Sequence, residues 1–158
     1  IHYVGDIHQP LHSTALVNDT YPNGDAGGNY EHLPNICGAS NLHAVWDSVS
    51  YSYCGFPDLP LDSTDWSWYT KEASSIASAY PINKNNLNNG DFQAWADQSF
   101  ELAKSQTYPG VVVNEKLSST YVAQAADTLK TQIMYGGYRL NNLMQQIYGT
   151  NSSFATLQ

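Results

Sequence analysis

The chain has 158 residues, enough for one domain with a sizeable core. Apolar residues make up 42 %, and no apolar run comes near the length of a membrane span. Net charge is -8 with six Lys and Arg in all, which excludes a protein that holds nucleic acid mainly by neutralising phosphates with its own side chains.

In chain order, residues 1–9 read as the end of a helix, and Pro10 stops or kinks it because it lacks an amide and disfavours helix at Gln9. The chain opens inside this patterned segment, so it is expected to be a piece of a longer one. Residues 13–40, rich in Gly, Asn, Asp and Pro, form a long loop with no period. A short helix follows over 41–49, and a second loop over 50–64 contains Gly55, Pro57 and Pro60. Thr64-Asp65 is the expected cap of a helix to about Tyr80. Asp91 caps another, with Phe92, Trp95, Ala96, Phe100 and Ala103 at helical spacing. A third runs from about Ser118 to Tyr148, its inward stripe Tyr121, Val122, Ala125, Leu129, Ile133, Leu140, Leu143 and Ile147. Gly136-Gly137 weakens it by roughly 1 kcal/mol per Gly against Ala unless close packing needs them. No alternating β pattern of useful length stands out, so the expected fold class is all-α with long functional loops.

His2 and Asp6 are four apart on one helix and project from the same face. His43 and Asp47 repeat that spacing, and His12 follows two residues after Pro10. Imidazoles and carboxylates are the ligands zinc takes in hydrolytic sites, where three protein ligands leave one position open. His12, His43 and Asp47 make such a set. One His-x-x-x-Asp pair is commonplace as a surface hydrogen bond; two pairs with a third His point to metal. Cys37 and Cys54 have no C-x-x-C partner and are not expected as ligands. Paired, they would close a loop of about 18 residues, worth roughly 3 kcal/mol; the alternatives are free thiols or pairing to sequence elsewhere. Two glycosylation sequons, at Asn18 and Asn151, join low Lys content and many Tyr, Asn and Ser in leaning towards a secreted or vesicular/lysosomal glycoprotein.

The string His2-Tyr-Val-Gly-Asp-Ile-His-Gln-Pro-Leu-His12, then Gly24-Asp-Ala-Gly-Gly-Asn29, then Asn41-Leu-His-Ala-Val-Trp-Asp47, resembles the class I single-strand-specific zinc nucleases. That is the family of the fungal S-one and P-one nucleases, in the zinc phospholipase C superfamily. Gly136-Gly-Tyr-Arg-Leu140 resembles its last helix, so the likeness runs to about residue 148. The resemblance implies a mainly helical fold, here lacking its N-terminal half, with three zinc ions at the bottom of a cleft. His2 would ligate one ion of a close pair and Asp6, the catalytic carboxylate, would bridge both. His12, His43 and Asp47 would complete the third site. Gly27 and Asn29 match the segment that holds the nucleobase. The implied reaction is hydrolysis of single-stranded DNA and RNA to 5′-phosphorylated products, with 3′-nucleotidase activity. The family's remaining ligands lie upstream of the matched segment, so the expected partner is a second polypeptide carrying the N-terminal half. Competing readings are a zinc phospholipase C, which has Glu where this chain has Asp47, and an inactive zinc-binding fragment.

Other residues receive plainer readings. His8 points away from His2 and packs between helices, His32 is solvated, and Asp25 is a turn residue. Trp46 belongs in the core, while Trp66 and Trp68 belong to core or rim. Arg139 is expected as a structural ion-pair partner rather than a phosphate clamp.

Overall fold

Short polar side chains decide where the longer helices begin, by accepting hydrogen bonds from the free amides of the first turn. The computed structural model of the protein describes residues 1–54, 57 and 59–149; the sequon at Asn151 lies outside the described residues. The first helix, α1 (His2–Asp6), has no side-chain cap. Asn41 caps α2 (Leu42–Asp47), Asp62 caps α3 (Ser63–Ala79), Asp91 caps α4 (Phe92–Leu102) and Ser118 caps α5 (Ser119–Tyr148). The start of α3 therefore lies earlier than Thr64-Asp65 suggested. Asp62 accepts from the amides of Thr64 and Asp65, and Asp65 returns a bond to the Asp62 amide. From α4 the chain continues through a turn of π-helix, Ala103–Thr107. The chain is mainly helical, as expected, and no helix among the described residues is long and apolar enough to cross a membrane.

One element contradicts the reading of 13–40 as loop throughout. Strands β1 (His32–Ile36) and β2 (Ala39–Asn41) pair antiparallel, with Ile36 opposite Ala39. Cys37 and Gly38 turn the hairpin at φ +55° and +82°, the left-handed pair that matches strand twist. Pro34 and the single buried residue of β1, Leu33, hide the alternation that would have announced it. The tip is tied down: Cys37 and Cys54 form a disulfide, S–S 2.06 Å.

The core joins α2 and the hairpin to α5 through Leu33, Leu42, Val45, Trp46, Val49, Leu117, Tyr121, Ala125 and Leu129. Trp46 donates from Nε1 to Tyr121 Oη at 2.9 Å, and Tyr121 donates onward to Thr107 O. The helix that carries His43 and Asp47 is thus fastened to the longest one. Its exit uses three left-handed residues that are not glycine, Val49, Ser50 and Tyr51 at φ +51°, +53° and +65°. That conformation costs roughly 1–2 kcal/mol per residue, set against burial of Val49 and a bond from the Ser50 amide to Val45 O at 2.8 Å.

Along α5 the expected stripe holds for Tyr121, Ala125 and Leu129, with Val122 half-buried against the core; the buried positions then become Gln132, Tyr135, Gly136 and Arg139. Ile133 is 44 % exposed and Ile147 58 %. Steps of four drift by about 40° each around a helix of 3.6 residues per turn. Past Leu129 the inward face is therefore the one that meets α1 and His8. A Cβ at Gly136 would touch the His8 ring at 3.5 Å, whereas one at Gly137 would meet nothing within 4 Å. Gly137→Ala should raise stability by about 1 kcal/mol in denaturant unfolding, and Gly136→Ala by less.

Candidate metal centre

Pro10 does what its ring dictates: α1 ends at Asp6, and Pro10 opens a short 3-10 turn, Pro10–Ser13, that carries His12. On α1, His2 Nε2 lies 3.2 Å from Asp6 Oδ2, and the other Asp6 oxygen lies 3.5 Å from His12 Nδ1. On α2, His43 Nε2 lies 3.5 Å from Asp47 Oδ2, one turn on. The 3-10 turn brings His12 against α2, its Nε2 3.2 Å from His43 Nε2 and 3.4 Å from Asp47 Oδ1. His12, His43 and Asp47 form a three-residue group with metal-ligand geometry. His2 and Asp6 flank it, with the His2 side chain 81 % exposed.

The proton positions follow from the partners. His43 Nδ1 meets Gly27 O at 2.8 Å, and His12 Nδ1 meets Asp6 O at 3.1 Å. A carbonyl only accepts, so both imidazoles carry their proton on Nδ1 and turn an Nε2 lone pair inward. Two lone pairs facing each other at 3.2 Å beside a carboxylate call for a cation between them. Ligands about 2.0–2.1 Å from a tetrahedral zinc stand roughly 3.3 Å apart; the two Nε2 atoms are 3.2 Å apart, and the Asp47 carboxylate approaches them through different oxygens, Oδ1 3.4 Å from His12 and Oδ2 3.5 Å from His43. The donor set fits zinc. Without metal, a proton takes part of that role. The hydrogen bond to Asp47, the largest influence, holds the His12 imidazole above its ordinary pKa. Burial would raise the Asp47 carboxyl, but bonds from His12 and from Gln9 Nε2, the latter at 2.9 Å, outweigh it and keep it below the usual carboxylate range.

Gly27 cannot be replaced cheaply. It sits at φ +62°, and a Cβ there would come 2.6 Å from Leu11 O. The loop that presents it is built around Asp25, which is fully buried and is more than the turn residue expected. Its carboxylate accepts from the amides of Leu16 and Gly28, each at 2.8 Å, and from Tyr108 Oη at 2.9 Å. Burial, and then Asp25 itself, hold the Tyr108 phenol protonated far above its usual range. Asn29 is half-buried beside Gly27 and donates from Nδ2 to Ala26 O at 2.8 Å.

Sequence reasoning passed over Gln9 and Tyr108 and read Asp25 only as a turn residue, although Gln9 beside Pro10 is a turn-forming signal as well. His32 is exposed, as expected. His8 does point away from His2, and burial pushes its imidazole down to about 4. Arg139 is not an ion-pair partner: among the described residues no carboxylate pairs with it, and its donors go to carbonyl oxygens, Gln98 and His8. Its position against aromatic rings, deep between helices, left no room for an acid.

Removing the buried carboxylate, Asp25→Ala, leaves two amides and a phenol unpaired and should cost roughly 3 kcal/mol or more in denaturant unfolding. The S1/P1 Nuclease family model matches residues 1–149. Endonuclease 5 of Arabidopsis thaliana is 25 % identical over 99 % of this chain and 52 % of its own length. Endonuclease 1 of the same plant is 28 % identical, over 98 % and 50 %. Nuclease P1 of Penicillium citrinum is 26 % identical, over 95 % and 56 %. The chain spans about half the length of the curated relatives it matches. With the family matched across nearly all of these residues, the chain belongs to the S1/P1 nuclease family.

Proposed function

We propose that residues 1–158 are the C-terminal part of a single zinc-dependent nuclease domain that hydrolyses single-stranded DNA and RNA to 5′-phosphorylated products and has 3′-nucleotidase activity. The observation that carries this reading is the pair of inward lone pairs on His12 and His43, 3.2 Å apart, with one oxygen of the Asp47 carboxylate 3.4 Å from the first and the other 3.5 Å from the second. These three would hold one zinc. Asp6 turns one oxygen towards His2 and the other towards His12, an attitude that suits a carboxylate bridging two ions, with His2 on one of them. The family resemblance adds a third ion, so the complete centre would hold three zinc ions.

Bound zinc supplies Lewis acidity towards a phosphate oxygen and lowers the pKa of water. The chain's own part is orientation. Gly27 O and Asp6 O hold the two imidazoles in their ligating tautomers, and Gln9 steadies Asp47. Gly27 and Asn29 would line the base end of the substrate. A net charge of -8 no longer counts against a polyanionic substrate when divalent ions stand at the site. Asp47, where a phospholipase C has Glu, favours nucleic acid over lipid.

The ligands that would complete the His2 and Asp6 side lie outside these 158 residues; we assign them to the N-terminal half of the same domain. Intact mass under denaturing conditions tells whether a second polypeptide or the same one carries that half. The disulfide suits an oxidising compartment on the secretory route, secreted or vesicular/lysosomal. Asn18, exposed in a turn where it accepts from the amides of Thr20 and Tyr21, would carry a glycan.

Metal analysis of the intact protein should give three zincs, and Asp6→Ala should lose more than one of them together with all activity. Full activity in that variant would remove Asp6 from the mechanism. Because His12 holds its proton above the ordinary range, protons compete with zinc. Affinity measured against a chromophoric chelator should therefore fall as pH drops from about 7.5 to 5.

A further inference from the structure

We propose that Arg139 is a positioning residue for the metal centre, acting through His8 on the five-residue helix that carries His2 and Asp6. The inference rests on the zinc reading above.

Helix α1 cannot hold itself in place. Isolated helices shorter than about 12 residues are marginal in water, its start is uncapped, and Val4 is its one buried residue. Two of the local carbonyls are pinned from outside instead. Val4 O accepts from His8 Nδ1, and Ile7 O accepts from Ser99 Oγ on α4. The His8 ring lies against Gly136 of α5 and Trp95 of α4.

Arg139 is 1 % exposed. Its Nη1 donates to His8 Nε2 at 2.7 Å, its Nε to Leu87 O at 2.8 Å, and its Nη2 to Gln98 Oε1 at 2.9 Å and Asn86 O at 3.2 Å. The rings of Trp95 and Tyr135 lie 5.1 and 4.9 Å from the guanidinium carbon. A guanidinium has five N–H donors and no acceptor. His8 Nε2 must therefore offer a lone pair to it, and the His8 proton must sit on Nδ1, where Val4 O takes it. Burying a cation without a carboxylate is costly, and a hydrocarbon side chain would fill the same space at less cost. What the hydrocarbon cannot do is dictate the tautomer and tilt of His8.

From His8 the path to the site is short. Val4 and Asp6 belong to the same turn of α1, and Asp6 O accepts from His12 Nδ1 at 3.1 Å. The seat of α1 thus sets both the Asp6 carboxylate and the His12 ring.

The test uses the full-length protein with Arg139→Lys, His8→Leu and His8→Gln, and with Leu129→Ala as a core control. Lys keeps the charge but offers only a point donor, while Gln keeps an acceptor for Arg139. Arg139→Lys and His8→Leu should weaken zinc affinity about ten-fold or more, as loss of an orienting partner does. They should also speed amide exchange at residues 4–8 in the metal-free protein. His8→Gln should recover most of the affinity, and Leu129→Ala should lose stability with zinc affinity unchanged. Wild-type zinc affinity and exchange in Arg139→Lys and His8→Leu, with only lost stability, overturns the proposal. If His8→Leu does not fold, Arg139→Lys against His8→Gln still decides it on the same readouts. A wild-type protein that binds no zinc sinks the zinc reading instead; exchange at residues 4–8 then judges Arg139 alone.

Discussion

A backbone carbonyl can only accept a hydrogen bond, and three imidazoles in this protein have one at Nδ1. Val4 O, Asp6 O and Gly27 O stand at His8, His12 and His43 respectively. Each bond fixes a proton on Nδ1 and so decides what Nε2 can do. At His12 and His43 the released lone pairs converge on Asp47; at His8 the lone pair is taken by Arg139. One chemical constraint, applied three times, separates two histidines that suit a metal from one that anchors a helix.

The carbonyls are dependable because their own segments are held. Gly27 belongs to a loop wrapped around the buried Asp25 carboxylate, and Tyr108 reaches across from beyond the π turn to complete it. The α2 helix is seated by Trp46 and its bond to Tyr121 on α5. The α1 helix has little of its own and depends on His8, Ser99 and Arg139. Rigidity at the centre is therefore borrowed from α4 and α5, although neither carries a residue of the His12, His43 and Asp47 group. This also accounts for polar groups in places where apolar packing alone would be more stable: a buried Asp, a buried neutral His and a buried Arg each impose a direction that hydrocarbon cannot.

Much of this was legible in the residues alone. The i, i+4 spacing of His2 with Asp6 and of His43 with Asp47 needs only the helical period, and Asp91 and Ser118 mark helix starts by chemistry that acts over three residues. The Cys37-Gly38 hairpin turn was harder to see, because Pro34 breaks the strand pattern on one side and β2 is three residues long. Asp62 rather than Thr64-Asp65 starts α3 because both Asp residues can cap, and only their reciprocal bonding selects the earlier one.

By itself, the sequence determined the helical class and the pairing of His with Asp along each short helix, since both are governed by contacts within a turn or two. Only the tertiary structure decided which proton each histidine carries, what its other nitrogen meets, and which face of α5 is buried past Leu129. Those outcomes depend on partners far away in the chain, Gly27 for His43 and Arg139 for His8 above all. No local period encodes a hydrogen bond across 131 residues, so the anchor of the site became visible only when α1 was packed against α5.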